Sequence, residues 1–388
     1  FITMNNKKLR IAHICQAASY TEGMLYQDNV LPDINRADGH EVLIIADCTC
    51  YVNGKLTTVP EEDKKLENGI RLVRLEFGLK FLPNIIRNKI RYAPKLKKLL
   101  EAFQPDVILY HSLVGAGLLA VGGYKKKYPK TRLYLDSHAD FNNSGKSFFS
   151  RWLQYKIFNR FFWVSISSSV EKVFYLSSEC RDFLREMYKI EDSRMEFFPL
   201  GGFVQDEEKR RSARSRVRQE LSLSEDDIVF IHTGKMNNLK RTLDVISSFS
   251  SMPYENYRLW LVGTFEDDIA QDANRLISKD QRIKYLGWKS GEELINFLCA
   301  SDCYLQPGSQ SATLQAAICC GLPVIVYPHA SHFSYVKNNG FFVKTSKELD
   351  DALEQFRNFE NISMLSNASL EIGCNILDYR VLARRLYE

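Results

Sequence analysis

A chain of 388 residues is longer than one ordinary domain and points to two, each large enough for its own core. Hydrophobic residues make up 45% and charged residues 26%, a folded globular composition that excludes intrinsic disorder, collagen-like repeats and a small disulfide scaffold. Lys and Arg total 52 against 47 Asp and Glu, a net charge of +5 that is too small for a whole-protein nucleic-acid footprint, so nucleic acid is not an expected partner.

In chain order, Leu9 to Ile14 is an apolar run bounded by polar turn residues. A helical pattern through Met24, Val30, Leu31 and Ile34 follows, and Val42 to Ala46 is apolar again. The alternation continues with strands at Ile70 to Leu75, Val107 to Tyr110 and Arg132 to Leu135. Helices are expected near Ala93 to Phe103, Leu118 to Lys127 and Phe148 to Phe162. Repeated strand and helix units imply a parallel sheet covered on both faces. Pro199-Leu200-Gly201-Gly202 breaks the pattern ahead of a helix-favouring basic run from Lys209 to Arg218, and a domain boundary is placed there. A second series opens at Ile228 to His232, with strands at Arg258 to Val262, Arg282 to Leu286, Asp302 to Gln306 and Pro323 to Tyr327. Its helices are expected to start near Lys240, Asp267, Gly291 and Ser311. The expected fold class is α/β: two doubly wound Rossmann-like domains, with ligand bound in the cleft between them, outside the carboxyl ends of the strands. Residues 4–200 form the first domain, 201–365 the second, and 366–388 a C-terminal helix returning toward the first.

The nine cysteines contain no C-x-x-C and no zinc spacing, and are expected as reduced, buried thiols of a cytoplasmic protein. No leader is visible, and the apolar stretch Phe161 to Ile166 falls far short of the roughly 20 residues that span a bilayer. Phe1 to Thr3 are expected to be a remnant ahead of a natural start at Met4.

Two segments of the second domain have the make-up of anion sites. In Thr233-Gly234-Lys235-Met236-Asn237-Asn238-Leu239-Lys240-Arg241, a glycine lets the backbone turn and Lys235 and Lys240 supply point charges to separate phosphates, unless both are simply solvated loop lysines. In Gln306-Pro307-Gly308-Ser309-Gln310-Ser311-Ala312-Thr313-Leu314-Gln315, a strand ends and a helix begins at small hydroxyl residues. There free N–H groups with the Ser311 and Thr313 hydroxyls form a second phosphate cradle, or Ser309 or Ser311 is an ordinary N-cap.

The order of short motifs carries a family resemblance. Gly234-Lys235 with Lys240, then Leu261-Val262-Gly263, Ile283 to Gly287 before Glu292-Glu293-Leu294, Ala300-Ser301-Asp302, and Cys320-Gly321-Leu322-Pro323-Val324-Ile325 succeed one another. Gly39-His40-Glu41-Val42 and Phe198-Pro199-Leu200-Gly201 fall earlier in the same series. Together they resemble the nucleotide-sugar glycosyltransferases of the GT-B fold, in particular retaining glycosyltransferase family 4.

That resemblance implies a donor diphosphate held by Lys235 and Lys240. Donor-binding positions follow at Gly23, Gly234, Gly263, Ser309, Ser311, Ala312, Thr313 and Gln315. Lys235 replaces the family's Arg, keeping the charge without the bidentate fork. The family's two glutamates, eight positions apart, are both missing. Gln315 stands where the second falls, and Gly308 to Ala312 is too short for the first. The resemblance also puts a functional His at His138, in Asp136-Ser137-His138-Ala139-Asp140, facing the transferred sugar, with a structural His at the strand end as the alternative. His111, flanked by Leu and Val, ranks lower. Transfer with retention to a saccharide or lipid-linked acceptor follows, with no metal and no cofactor beyond the donor. The basic apolar stretch from Lys80 to Lys98 and the aromatic stretch Trp152 to Trp163 are read either as a peripheral membrane surface at the inner leaflet or as amphipathic helices packed on the core. Other readings remain open. Gly115-Ala116-Gly117-Leu118-Leu119-Ala120 with Asp136 satisfies a dinucleotide fingerprint and would suit an NAD-dependent oxidoreductase. A nucleotide-sugar epimerase or a non-catalytic sugar-binding module would also account for the lost glutamates.

Overall fold

The computed structural model describes residues 8–53, 55–141, 144 and 150–388. Phe1 to Thr3 and the expected helix start at Phe148 lie outside the described residues. The chain forms two compact units, one reaching to Pro199 and including Leu382–Glu388, the other Leu200–Val381.

The first unit contains strands β1 (Arg10–Cys15), β2 (Glu41–Asp47), β3 (Thr49–Val52), β4 (Lys55–Thr58), β5 (Glu62–Lys65), β6 (Arg71–Leu75), β7 (Val107–His111), β8 (Arg132–Ser137), β9 (Lys172–Tyr175) and β10 (Met195–Phe197). Its helices are α1 (Gln27–Ala37), α2 (Asn84–Ile90), α3 (Leu96–Phe103), α4 (Gly117–Lys127), α5 (Arg160–Ile166) and α6 (Ser178–Tyr188). The sheet order is β10-β9-β8-β7-β1-β2-β6-β5, parallel except for β5, while β3 and β4 make a separate hairpin. Central strands such as Ile11 to Cys15 and Val107 to His111 are buried along their length, as strands covered by helices on both faces must be. Sequence order reverses between β1 and β7, which puts the topological switch point at their carboxyl ends.

The second unit is wholly parallel, in the order β13-β12-β11-β14-β15-β16. Its strands are β11 (Ile228–Met236), β12 (Tyr257–Phe265), β13 (Ile283–Gly287), β14 (Cys303–Gln306), β15 (Val324–Val326) and β16 (Gly340–Phe342). Helices α7 (Glu207–Glu220), α8 (Thr242–Ser251), α9 (Ala270–Ile277), α10 (Gly291–Ala300), α11 (Thr313–Cys319), α12 (Ser346–Glu354) and α13 (Phe359–Ile372) belong to it, and α14 (Tyr379–Arg384) begins in it and ends in the first unit. Here the reversal falls between β11 and β14.

Several expectations are corrected. The break expected at residue 365 falls inside α13, and only Leu382–Glu388 joins the first unit, where Arg384 forks onto Asp38 at 3.0 and 3.1 Å and Leu386 is fully buried. Within the basic run from Lys209, Arg214 and Arg218 in α7 both reach the carboxylate of Asp302, at 2.7 and 3.2 Å. The helix expected from Phe148 to Phe162 is a π-helical segment, Ser150–Asn159, continuing into α5. All nine cysteines are unpaired thiols, but Cys374 is exposed and Cys50 half-buried, so burial is not general.

Candidate functional site

In the second unit the site is built where the sheet reverses, on the chain leaving β11 and the chain leaving β14. β11 runs four residues past the expected end at His232, so Gly234 and Lys235 are strand residues and not part of a loop. Gly234 has φ 108° and pairs with Gly263 of β12, which has φ 139°. A Cβ at Gly263 would lie 2.0 Å from the Gly234 carbonyl oxygen, so glycine there is required by the close approach of the two strands. A Cβ at Gly234 would instead meet the Lys240 side chain, 3.3 Å from Cε and 3.4 Å from Nζ. The lysine therefore folds back across the bare backbone of Gly234. Lys240 is only 9% exposed, and no carboxylate partners its ammonium among the described residues; burial lowers its pKa for that reason. Lys235 is exposed at the strand end.

Gly308 joins the second segment to the first. A Cβ there would fall 2.3 Å from the Leu239 carbonyl oxygen, and Ser309 N–H donates to that oxygen at 2.8 Å. Arg241 spans the same junction, donating to the carbonyl of Pro307 at 3.3 Å and of Lys344 at 2.8 Å, while His329 Nε2 donates to the Gly308 carbonyl at 2.9 Å. The two loops thus form one wall holding Lys240. Helix α8 begins at Thr242, two residues past the expected start near Lys240, leaving the lysine in the turn before it.

Helix α11 begins at Thr313, two residues past the expected start near Ser311, with Ala312 in the cap position and lacking a capping side chain. Ser311 Oγ accepts the Thr313 N–H at 3.3 Å. The cradle expected here thus has one of its N–H groups already satisfied, although the Ser311 hydroxyl retains its own donor. Beneath it, the Tyr304 hydroxyl lies 3.2 Å from Thr233 Oγ1. Gln315 is buried, its Nε2 donating to Tyr335 Oη at 3.3 Å and its Oε1 without a hydrogen-bond partner. Sequence reasoning missed Tyr304 and His329, which belong to no local motif, and gave no role to Arg241 although it ends the first anion segment.

In the first unit, Gly23 lies in the segment after β1 at φ 76°, with open space where a Cβ would point. His138 follows β8, is half-exposed, and its Nε2 lies 3.8 Å from Asp136 Oδ1. The Leu and Val that flank His111 in sequence do not describe its surroundings. Its ring lies in a buried polar chain: Nδ1 is 2.7 Å from Asp136 Oδ2 and Nε2 is 3.1 Å from His13 Nδ1, whose own Nε2 is 2.7 Å from Asn35 Oδ1. Burial opposes charge on both members of the pair, but each partner's charge outweighs it: the Asp136 carboxyl is pushed below the usual range and His111 above. Asp28, in the first turn of α1, is held above its ordinary value by burial, although His111 and His138 oppose that shift.

The dinucleotide fingerprint has a packing explanation. A Cβ at Gly115 would lie 2.8 Å from Arg91 Cβ, and one at Gly117 only 2.4 Å from Gln16 Oε1. Asp136, the expected ribose partner of that reading, is 1% exposed and already engaged by His111. Among the described residues no group of three or more His, Cys, Asp or Glu is placed to hold a metal ion.

Two successive Rossmann-like units have the architecture of the GT-B glycosyltransferases. Models of two families match: Glycosyltransferase Family 4 over residues 36–201 and Glycosyl transferases group 1 over residues 213–368. The chain belongs to the family 4-like glycosyltransferases of the GT-B fold. Among solved structures, Anabaena Alr3699/HepE in complex with UDP is similar at TM-score 0.65 and 15% identity, over 97% of this chain and 98% of that one. A glycosyltransferase from Rickettsia africae matches at 0.65 and 15%, over 97% and 96%. WaaG, a glycosyltransferase involved in lipopolysaccharide biosynthesis, matches at 0.58 and 15%, over 97% and 99%. No curated protein matches by sequence.

Proposed function

We propose that this glycosyltransferase moves a hexosyl group from a UDP-linked sugar to a saccharide or lipid-linked saccharide acceptor, with retention and without a metal or cofactor. The observation that carries the reading is the buried ammonium of Lys240, desolvated over Gly234 with no carboxylate to balance it. A buried cation costs free energy unless an anion joins it, and a donor diphosphate is such an anion. As the bond from the anomeric carbon to the diphosphate oxygen breaks, negative charge grows on the leaving group. Lys240 and Lys235 oppose that charge from fixed positions, and the Ser311 hydroxyl at the start of α11 adds a donor. The acceptor hydroxyl attacks the anomeric carbon from the same face, and its proton passes to the departing diphosphate oxygen. His138 serves the acceptor side, Gly23 lies against the donor phosphates, and Gln315 hydrogen-bonds ribose in place of a glutamate. Uridine is favoured because the Anabaena structure holds UDP, and a glycolipid-type acceptor because WaaG acts in lipopolysaccharide biosynthesis.

Work at the cytoplasmic face of a membrane belongs to the same reading. None of α2 is buried, with Ile85 76% exposed and Phe81, just ahead of the helix, 81% exposed, so that helix does not spend its apolar residues on the core. Leu153, Ile157, Phe161 and Val164 are also exposed, at helical spacing along the π-helical segment and α5. Apolar side chains interleaved with Lys80, Arg87, Lys89, Lys156 and Arg160 suit an anionic lipid surface. No helix among the described residues is long and apolar enough to cross a membrane.

The test is a thermal-shift titration with UDP, GDP, ADP and NAD, in the intact chain and in Lys240→Ala. A rise with UDP alone, lost in the variant, is the expected result. A rise with NAD alone would overturn the transferase chemistry. Because both family glutamates are missing, a second reading is a module that binds nucleotide sugar without transferring it; UDP binding with no turnover on any saccharide acceptor would favour it.

A further inference from the structure

The chain of side chains buried in the first unit constrains where protons sit. Asn35 Oδ1 can only accept, so His13 Nε2, at 2.7 Å, carries a proton and donates it. His13 is fully buried beside a second imidazole and is held neutral, its pKa pushed down to about 3 by burial first and the neighbouring charge second, so its Nδ1 is a bare acceptor. That acceptor lies 3.1 Å from His111 Nε2, which must therefore donate. His111 Nδ1 faces the Asp136 carboxylate at 2.7 Å and must donate as well. Both ring nitrogens of His111 are protonated. The two imidazoles lie nearly parallel, 19° apart, with ring centroids 5.3 Å apart.

Asp136 uses Oδ2 for His111, and among the described residues its buried Oδ1 makes no direct hydrogen bond, lying 3.8 Å from His138 Nε2. The groups facing this cluster come from three directions: Asp28 from α1, His13 and the Cys15 thiol from β1, and His138 from the segment after β8. We propose that Asn35, His13, His111 and Asp136 form a proton-locked positioning relay, in which a permanently protonated His111 fixes the Asp136 carboxylate so that its spare oxygen orients the ring of His138. The relay itself is independent of the proposed transfer chemistry; only the role of its endpoint, His138, rests on that reading. His111 and Asp136 are positioning residues, since neither is exposed to a substrate.

The test has two arms. Nitrogen-15 imidazole NMR of the intact protein, its seven histidines assigned by single His→Gln variants, should show His111 doubly protonated at pH 8 and His13 neutral at pH 5. A neutral His111 at pH 7 would overturn the relay, because it would mean that the Asn35 amide donates to His13 and not the reverse. In the second arm, Asp136→Asn should lower kcat about tenfold to a hundredfold, the scale of a misplaced reacting group, with the KM for the donor nearly unchanged. It should also free the His138 side chain from its single orientation, read by NMR as averaged χ1 couplings, which a role confined to packing in the core would leave alone. If Asp136→Asn does not fold, the wild-type spectrum decides alone. A doubly protonated His111 together with an unchanged kcat and an unmoved His138 would overturn the positioning role, whereas failure of the transferase reading itself would appear as no turnover in the intact protein.

Discussion

Lys240 and His138 are both cation-capable residues on short segments after strands, but their surroundings set different roles. Lys240 is desolvated and unbalanced, so removing it takes away the buried charge that favours an anion. Lys240→Ala should weaken UDP binding by about 1.5 to 3 kcal/mol, the scale of a charge-assisted hydrogen bond, as read by calorimetry. An unchanged affinity would take Lys240 out of the site. His138 is half-exposed and belongs to the other unit, so His138→Ala should reduce transfer while leaving UDP affinity nearly intact. A variant with full turnover would end its proposed role.

At the scale of elements, the length of β11 matters more than its apolar pattern. Pairing with β12 continues in register from Ile228 with Tyr257 to Met236 with Phe265, and those hydrogen bonds hold the strand past the point where its apolar run stops. The glycines at 234 and 263 make that extension sterically feasible. The opposite holds for the π-helical segment and α5, where a face at helical spacing stays exposed although its sequence suits a core. Phe161→Glu places a charge on that face, and its folded stability should change little because Phe161 is 62% exposed. Its co-sedimentation with vesicles of anionic phospholipid should fall roughly tenfold or more, the equivalent of losing one buried aromatic side chain. Equal sedimentation of variant and wild type would exclude this face from membrane contact.

For the molecule as a whole, two features couple distant parts of the sequence to stability. Leu382–Glu388 packs on the first unit through the buried Leu382 and Leu386, and Arg384 and Tyr387 both bond Asp38. Deleting these residues should lower the Tm, with about 1.5 to 3 kcal/mol lost for each leucine. The Asp38 carboxyl is held below its ordinary value, chiefly by the Arg384 hydrogen bond, so its contribution is present above pH 3.8 and disappears as pH falls through the folded-state value; the truncated chain should lose that acid-limb dependence. Two buried histidines act over a higher window. His13 and His232 are held neutral, with pKa values near 3 and 4 caused mainly by burial, while the unfolded chain protonates both near 6.5. The unfolded state therefore binds more protons, and stability should fall as pH drops from about 6.5 toward 4. His111 has the opposite sign, its contribution being full below 6.5 and lost only as pH rises through its elevated value. A chemical-denaturation series over pH checks this, and His232→Gln should flatten the acid side; an unaltered slope would show that His232 titrates normally.

Alternating apolar runs and glycine-rich breaks were enough to place the strands of both sheets near their centres, because a strand buried on both faces must be apolar throughout. Short strands at or next to a sheet edge escaped that logic. β9, β10 and β16 have three or four residues each and owe their existence to a neighbour already in place. Lys235, Lys240 and His138 were visible from sequence because a charge or imidazole beside a turn after an apolar run is a local pattern. The burial of Lys240, the wall that Gly308, Arg241 and His329 build around it, and the contact of His111 with His13 and Asp136 were not visible. His111 lies 25 residues from Asp136 and 98 from His13 in the chain, and only the parallel register of β1, β7 and β8 makes them neighbours. Local composition determines which segments become strands and which residue types flank them; packing of those strands alone decides which polar groups lose water, and hence which of them hold a charge.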